Sequence, residues 1–242
     1  MIISPNSILR SPPKVLHPDQ IYVFNAIRYS VDICEVTFKR LEKNLFDFAF
    51  NPSYGDYIPL IFSDVWTIIN NATILKNVIK KHFKIDDKNP LLVGLKKLEG
   101  LRHSNQHLED RINEIKSFDD LPPIYGTLSW LTKEDENGID GILSVIYSGT
   151  VKDRIKTTPI NPADKINRKK VNDIKFTGVD REARTANFFE TSIYINLIID
   201  DIKEIINQFE LQINEQFKNI DISEKYISDL IIQLKVREVE GQ

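Results

Sequence analysis

Apolar residues recur every three or four positions in the first third of the chain, the spacing of one face of an α-helix. This pattern predicts a long first helix from Asp19, whose side chain can cap it, and a second helix over 58–79. Asn51, Pro52 and Gly55 interrupt the pattern between the two. Consecutive helices with such apolar faces pack antiparallel. The apolar positions of the first helix are Phe24, Ile27, Val31, Cys34, Phe38, Leu41, Leu45 and Phe48.

The same helical spacing returns in two later parts of the chain. A third helix is predicted to begin at Asn89 and Pro90, because asparagine favours the N-cap and proline the first helical position, and to run to about residue 117. A fourth helix is predicted from about residue 188 to about residue 217. A short fifth helix is predicted near Ser223.

Between the third and fourth predicted helices the apolar period changes to two, the period of a β-strand. Alternation over 126–132 and 141–148 predicts two strands. The dipeptide Asn137-Gly138 between them favours the tight turn of an antiparallel hairpin. A third strand is predicted over 174–179.

Together these elements predict a mainly α fold with a small β insertion. Its main part is an antiparallel bundle of about five helices, and an antiparallel β-hairpin or three-stranded sheet is inserted at about residues 122–182. Because helices flank the strands in sequence, residues 19–242 are interpreted as a single domain. Residues 1–18, which contain four prolines, are interpreted as an N-terminal arm.

Composition and charge exclude several classes of protein. The chain of 242 residues has one cysteine, Cys34, which excludes an intrachain disulfide and a cysteine-based zinc site and favours a reducing compartment, the cytoplasm. The formal net charge of -3 excludes a uniformly basic nucleic-acid-binding protein. No glycine motif for phosphate or dinucleotide binding occurs, so no cofactor is predicted. No apolar stretch predicts a membrane partner.

Polar residues are concentrated on the predicted third helix, in the segment LRHSNQHLEDR at residues 101–111. At about 100° per residue, Asn105 falls within the apolar face of this helix. A buried asparagine needs hydrogen-bond partners, and we expect them on the second helix. The candidate partners are Thr67, Asn70 and Asn71.

Arg102 and His107 fall at opposite edges of the polar face of that helix, about 140° apart. Side chains so separated do not easily converge on one atom within a single helix. They converge when this face meets the same face of a second copy, because a two-fold contact brings two arginines and two histidines into one cleft. The sequence therefore predicts a homodimer.

Arg102 and His107, with the polar His103 directly after the arginine, fit the motif R-x4-6-H. This motif on a third long helix resembles the HEPN superfamily of α-helical proteins, many of which are dimeric ribonucleases of toxin and defence systems. The wider stretch LRHSNQHLEDRI, followed by YGTLSW, is similar to that of HEPN-related proteins. The resemblance covers roughly residues 20–130.

The resemblance implies a metal-independent endoribonuclease. In that chemistry His107 is the general base or acid at the ribose 2′-OH or at the leaving 5′-oxygen, and Arg102 stabilises charge on the phosphorane. His103 and Asn105 orient these groups. RNA is then the substrate, and an antitoxin or another protein is the further partner that the resemblance implies.

Two alternatives remain open for the same segment. Many HEPN-like proteins are catalytically silent, so the alternative function is a helical interaction module that binds a protein partner or RNA. The spacing of His103, His107 and Asp110 also suits three metal ligands on one helix. Since no glutamate stands between the histidines as in a metalloprotease motif, and no distant ligand is evident, no metal site is predicted.

The polar stretch 152–171 is predicted to be a loop, and its basic residues make it a candidate contact for RNA phosphates. Over 152–175, eight basic residues stand against three acidic residues, a net charge of +5. Tyr125, Trp130 and Tyr147 lie on or beside the predicted hairpin, where they can stack on RNA bases or pack the sheet onto the helices. The residues expected to bind RNA are Lys165, Arg168, Lys169 and Lys170.

Overall fold

The structure is a computed structural model, and it describes residues 1–50, 57–115, 123–133, 141–150, 170–181 and 188–233. The helices are α1 (Pro18–Phe50), α2 (Tyr57–Phe83), α3 (Pro90–Val93), α4 (Leu98–Gln106), α5 (Leu108–Ile115) and α6 (Ile195–Phe217). The strands are β1 (Thr127–Lys133), β2 (Gly141–Tyr147), β3 (Lys170–Arg181) and β4 (Phe188–Tyr194). This order confirms the predicted mainly α fold with a small antiparallel insertion.

The first two helices form an antiparallel pair, as their apolar spacing predicts. The Cys34 thiol lies 3.8 Å from the carbonyl oxygen of Ile68. One turn and a half further along α1, Nε of Arg40 lies 3.1 Å from both carboxylate oxygens of Asp64. Residue numbers thus rise along α1 as they fall along α2. Burial raises the pKa of the Cys34 thiol to about 12, so this cysteine serves packing and not nucleophilic chemistry.

The predicted third helix is broken into three. Asn89 caps its start as expected, because Oδ1 of Asn89 accepts a backbone N–H at 3.0 Å. α3 ends after one turn, and at Gly94 the helix α6 approaches so closely that an added Cβ would overlap the Asp201 carboxylate. A second break lies at His107, whose φ of -114° and ψ of 36° leave the helical region. The prediction of one continuous helix from 90 to about 117 is therefore wrong.

The inserted sheet has four antiparallel strands in the order β2-β1-β3-β4. β1 and β2 pair as the predicted hairpin, while the turn at Asn137-Gly138 lies outside the described residues. The predicted strand over 174–179 is confirmed within a longer β3. Because β3 begins at Lys170, this lysine belongs to the sheet and not to a loop.

The fourth strand occupies the residues predicted to start the fourth helix. Phe188–Tyr194 pairs antiparallel with β3, and Thr191 lies opposite Gly178. The local pattern of apolar and β-branched residues suits either element, and the ladder with β3 stabilises the strand. α6 then begins at once, at Ile195. The predicted helix start near residue 188 is therefore wrong.

One face of the sheet packs against the helices and forms a continuous core with them. Trp66 of α2 meets Phe176 of β3 edge to face, with ring centroids 5.1 Å apart. Leu101 of α4 packs against Gly178 of β3, where the missing side chain lets helix and strand approach. These contacts hold α2 and α4 against β3.

The N-terminal segment predicted as an arm packs into this core. Its Ile2 N–H donates to the Glu35 carboxylate at 2.5 Å, which ties the segment to α1. Burial opposes the charge on Glu35, but hydrogen bonds from Lys39 and from Ile2 outweigh it and hold the pKa of Glu35 at about 2. The buried apolar residues of the segment are Ile3, Ile8, Leu9 and Leu16.

The last described residues return to the N-terminal segment. Pro13 forms an isolated antiparallel bridge with Lys225. The Tyr226 N–H donates to the Pro12 carbonyl oxygen at 2.9 Å. Residues 218–233 contain no helix, so the predicted short helix near Ser223 is wrong. Backbone pairing with the chain's beginning takes the place of that helix.

A buried arginine of α1 anchors the same returning segment. Arg28 is only 3% exposed, and its guanidinium donates to Oδ1 of Asp229 at 2.5 Å. The Tyr29 hydroxyl donates to the same oxygen at 2.6 Å. These two hydrogen bonds hold the pKa of Asp229 below its usual value. Asp229 adopts a positive φ of 57°, a conformation that its contacts with α1 must stabilise.

By length and composition, α2 is the one described helix that is apolar enough to cross a membrane. In the structure, 56% of its most apolar window is buried inside the protein. Its apolar side chains pack against α1 and the sheet, which is typical of a core helix.

We expect Gly178→Ala to destabilise the protein by about 1–3 kcal/mol, the range typical of overpacking in a core. An added Cβ would lie 2.9 Å from Cδ2 of Leu101 and 3.0 Å from the Phe176 ring. Urea denaturation measures the difference. Gly141→Ala on the edge strand is the matched control, because its nearest contact would be at 3.4 Å and no loss of stability is expected. Equal stability of Gly178→Ala and wild type contradicts the close packing of α4 on β3.

Candidate functional site

The helix α4, which carries the polar segment, is held by an ion pair with a buried lysine of α2. Lys76 of α2 is fully buried, and its Nζ lies 2.8 Å from Oε1 of Glu99 on α4. A second carboxylate, Asp87, lies 3.4 Å from the same Nζ, and neither contact has the directional geometry of a hydrogen bond. On the sheet side, Gly100 lies directly against the Asp180 carboxylate. With these contacts fixed, the remaining face of α4 points to solvent.

Arg102 is half-buried on α4 and is bound within its own helix. In the amide orientation that satisfies both groups, the Gln106 oxygen accepts from Nε and from one terminal nitrogen of Arg102, each at 3.3 Å. Residues four apart face each other on a helix, which accounts for this pairing. The guanidinium is therefore positioned along the axis of α4 and forms no contact with His107 among the described residues.

The two histidines of the segment lie side by side on the surface. The ring centroids of His103 and His107 are 4.6 Å apart, with the rings tilted by 58°. We call these two side chains the imidazole pair. Both residues are exposed, and Nδ1 of His107 also lies 3.9 Å from a carboxylate oxygen of Asp110. Residues four apart are neighbours on a helix, and the two rings meet although the helix breaks at His107.

The metal alternative does not take the form that the sequence suggests. The ligand atoms that lie within 4.8 Å of one another belong to His107, Glu109 and Asp110, and His103 is not among them. All three residues are exposed. Water competes with such groups for any ion, so this cluster alone defines no site.

The break at His107 also ends the apolar face that was predicted to run along the whole third helix. Leu98 and Leu101 of α4 are fully buried. In α5, Leu108 is only half-buried and Ile112 is 39% exposed. α5 therefore lies on the surface. The angle of about 140° between Arg102 and His107 assumed one continuous helix, so it does not hold across the break at His107.

Asn105 borders a cavity of about 590 Å³ between α2, α4 and the beginning and end of the β1–β2 hairpin. We call it the Trp66 cleft. Asn105 is half-buried, and it faces the cleft together with Thr67 and Asn70, two of the neighbours expected from the sequence. The expected hydrogen bond is not formed between described residues. The third neighbour, Asn71, donates instead to the backbone oxygen of Thr67 at 2.9 Å.

Sequence reasoning did not find the other residues of the Trp66 cleft. Phe62, Trp66 and Asn70 follow one another at intervals of four on α2, which places them on one helix face. Oδ1 of Asn70 is buried and has no hydrogen-bond partner. The signal in the sequence was an asparagine in register with two aromatic residues, but the pattern resembles any core-facing helix.

Of the basic residues expected to contact RNA, the structure describes only Lys170. It is exposed at the start of β3 and lies opposite Lys133 in the sheet register. Burial raises the pKa of the Glu42 carboxyl, and the positive charge of Lys170 opposes that rise without cancelling it. Lys165, Arg168 and Lys169 lie outside the described residues.

The three aromatic residues of the hairpin region divide between core and surface. Trp130 is fully buried and its ring lies 6.2 Å from that of Phe48, so it packs the sheet onto α1. Tyr125 is 45% exposed and Tyr147 is 38% exposed. Tyr125 also borders the Trp66 cleft, which makes it available to a ligand there.

A pair of asparagine substitutions tests the placement of Asn105. Asn89→Ala is expected to lose about 1 kcal/mol of stability, because Asn89 caps α3 with its side-chain oxygen. Asn105→Ala removes no hydrogen bond between described residues, and we expect its free energy of unfolding to stay within about 0.5 kcal/mol of wild type. Thermal and urea denaturation of both variants check this. A loss at Asn105 equal to that at Asn89 contradicts its placement in the wall of an open cleft.

No family model, curated protein or solved structure matches the chain. The resemblance to the HEPN superfamily is therefore carried by Arg102, His103, His107 and the stretches around them. The chemistry open to the segment follows from the side chains it presents: an exposed imidazole pair, a guanidinium one turn away, and a neutral cleft behind Asn105.

Proposed function

We propose that the protein is a HEPN-like, metal-independent endoribonuclease whose reaction takes place at the junction of α4 and α5. The observation that carries this proposal is the imidazole pair, with ring centroids 4.6 Å apart on an exposed surface. Imidazole is the side chain best suited to take up and release a proton near neutral pH. Two of the four histidines of the chain meet here, on the helix that also carries Arg102 and Asn105.

In the proposed reaction, His107 removes the proton of a ribose 2′-OH. The resulting oxygen attacks the adjacent phosphorus, the bond to the 5′-oxygen of the next nucleotide breaks, and the protonated His107 returns its proton to that leaving oxygen. The products are a 2′,3′-cyclic phosphate and a free 5′-OH. His103 holds the His107 ring in position. No bound ion takes part in these proton transfers.

Arg102 would stabilise the extra negative charge on phosphorus in the transition state. Within one subunit its guanidinium is bound to Gln106 and not directed at the imidazole pair. A two-fold contact through this face supplies the missing partner, because it places Arg102 of one subunit beside the partner subunit's His107. The proposed active form is therefore a cytoplasmic homodimer with RNA as substrate, and an antitoxin or other protein that covers this face would inhibit it.

A non-catalytic interaction module is the second candidate function. It is favoured by the outward face of the edge strand β2, where Leu143, Val145 and Tyr147 are 61%, 43% and 38% exposed. The register places half-buried Leu131 of β1 opposite Leu143, which widens this apolar stripe. Exposed apolar stripes of this kind are typical of surfaces that bind another protein.

Cleavage of RNA in EDTA distinguishes the two functions. We expect wild-type protein to cut single-stranded RNA under these conditions. Arg102→Ala and His107→Ala should keep the circular dichroism spectrum of wild type and lose activity by at least about a hundredfold, the range typical of acid–base and charge-stabilising groups. His82→Ala, another exposed histidine, is the matched control and should cleave normally. Unchanged cleavage by either site variant contradicts the proposed mechanism.

Mixing the two inactive variants tests the dimeric site. In a dimer of one Arg102→Ala chain and one His107→Ala chain, one of the two sites receives both intact side chains. Random exchange makes half of the dimers mixed, so roughly a quarter of wild-type activity should return. Light scattering of the wild type should show a dimer at micromolar concentration. A monomer there, or no recovery of activity after proven exchange, contradicts the composite site.

A further inference from the structure

The Trp66 cleft has an uncharged lining. Among the described residues that border it, none carries an ionisable acid or base that is charged at neutral pH. Its volume of about 590 Å³ lies in the usual range of small-molecule sites. These described residues offer no counter-charge to a phosphate or carboxylate, so they favour a neutral group in the part of a ligand that enters.

Aromatic side chains border the cleft, and a hydrogen bond holds the Trp66 ring in place. Nε1 of Trp66 donates to the Tyr125 backbone oxygen at 3.3 Å. The Tyr125 N–H in turn donates to Oγ of Ser148 at 2.9 Å. Phe62 lines the same space one helical turn before Trp66. Rings held in place before a ligand arrives favour a flat, aromatic occupant that stacks on them.

Two side-chain amides, Asn70 and Asn105, are among the polar groups that border the cleft. Oδ1 of Asn70 is buried and accepts no hydrogen bond. A buried acceptor without a donor is destabilising, so a ligand gains affinity if the Asn70 amide turns toward the cleft and accepts an N–H from it. Asn105 stands at the rim with its own amide unpaired among described residues. These features favour a ligand that is a planar, neutral heterocycle with an amino group.

We propose that the Trp66 cleft binds one adenine base of an RNA strand. An amide pairs with adenine at two points, accepting from the exocyclic amino group and donating to a ring nitrogen, and rotation of the Asn70 side chain into the cleft would allow this pairing. The ring stacks against Trp66, and the ribose and its phosphates stay outside. This inference rests on the proposed function in one respect, that the base belongs to the substrate whose backbone crosses α4.

Intrinsic fluorescence of the full chain measures this binding directly. The chain has two tryptophans, of which Trp66 borders the cleft and Trp130 is fully buried elsewhere. Free adenosine should quench the fluorescence to saturation, and Trp66→Phe should lose that response. Inosine, which lacks the amino group, should bind about tenfold more weakly. Equal binding of adenosine and inosine, or no saturable quenching, overturns the proposal.

Substitution of the two amides supplies the second test. Asn70→Leu should weaken adenosine binding about tenfold. Asn71→Leu on the same helix is the matched control, since Asn71 bonds to its own helix outside the cleft, and it should bind as wild type does. If Asn70→Leu does not fold, Asn105→Ala takes its place and should bind adenosine several-fold more weakly. Unchanged affinity in the folded variant overturns the assignment.

The binding and cleavage experiments test the base site and the nuclease separately. His107→Ala should bind adenosine as wild type does, because His107 does not border the cleft. Saturable adenosine binding without any RNA cleavage would refute the proposed nuclease and keep the base site. Cleavage that is indifferent to adenine in the substrate, together with no adenosine binding, would refute the base site and keep the nuclease.

Discussion

One buried charge determines where α4 lies. Lys76 has no exposed surface, and a lysine ammonium in such a place is strongly destabilising unless carboxylates lie beside it. Glu99 of α4 and Asp87, in the segment that follows α2, provide them, so a shift of α4 along α2 would remove the nearer carboxylate from Lys76. The Trp66 cleft lies between these two helices, and the imidazole pair lies at the end of one of them. Both therefore lie on elements that this ion pair helps to hold together.

Local patterns in the sequence were sufficient for the elements that pack through one regular face. α1, α2 and the β1–β2 hairpin have clear periods of 3.6 and of two, and each appears where that period predicts it. The errors concern elements that distant contacts decide. β4 exists because Phe188–Tyr194 finds an edge of β3, and α3 ends where α6 approaches Gly94. The spacing of apolar residues within either segment does not indicate these distant neighbours.

The candidate site likewise has one part that the sequence indicates and another part that only the fold brings together. Arg102, His103 and His107 stand close together in sequence, so a short motif was enough to single them out. The Trp66 cleft joins α2 to the hairpin, whose residues are more than fifty positions away along the chain. Only the tertiary packing brings Trp66 and Tyr125 together. The helical pattern of α2 does not distinguish an aromatic residue that faces a cleft from one that faces the core.

The first and last described segments are coupled to each other by backbone pairing and by an ion pair with a buried arginine. Asp229 lies 201 positions from Arg28, yet it is the counter-charge of that buried guanidinium. A protease that removed the chain from about residue 224 onward would leave Arg28 uncompensated and would strip Pro12 and Pro13 of their backbone partners in the same cut. We therefore expect resistance to proteolysis to depend on both segments together, because loosening one removes the contacts of the other.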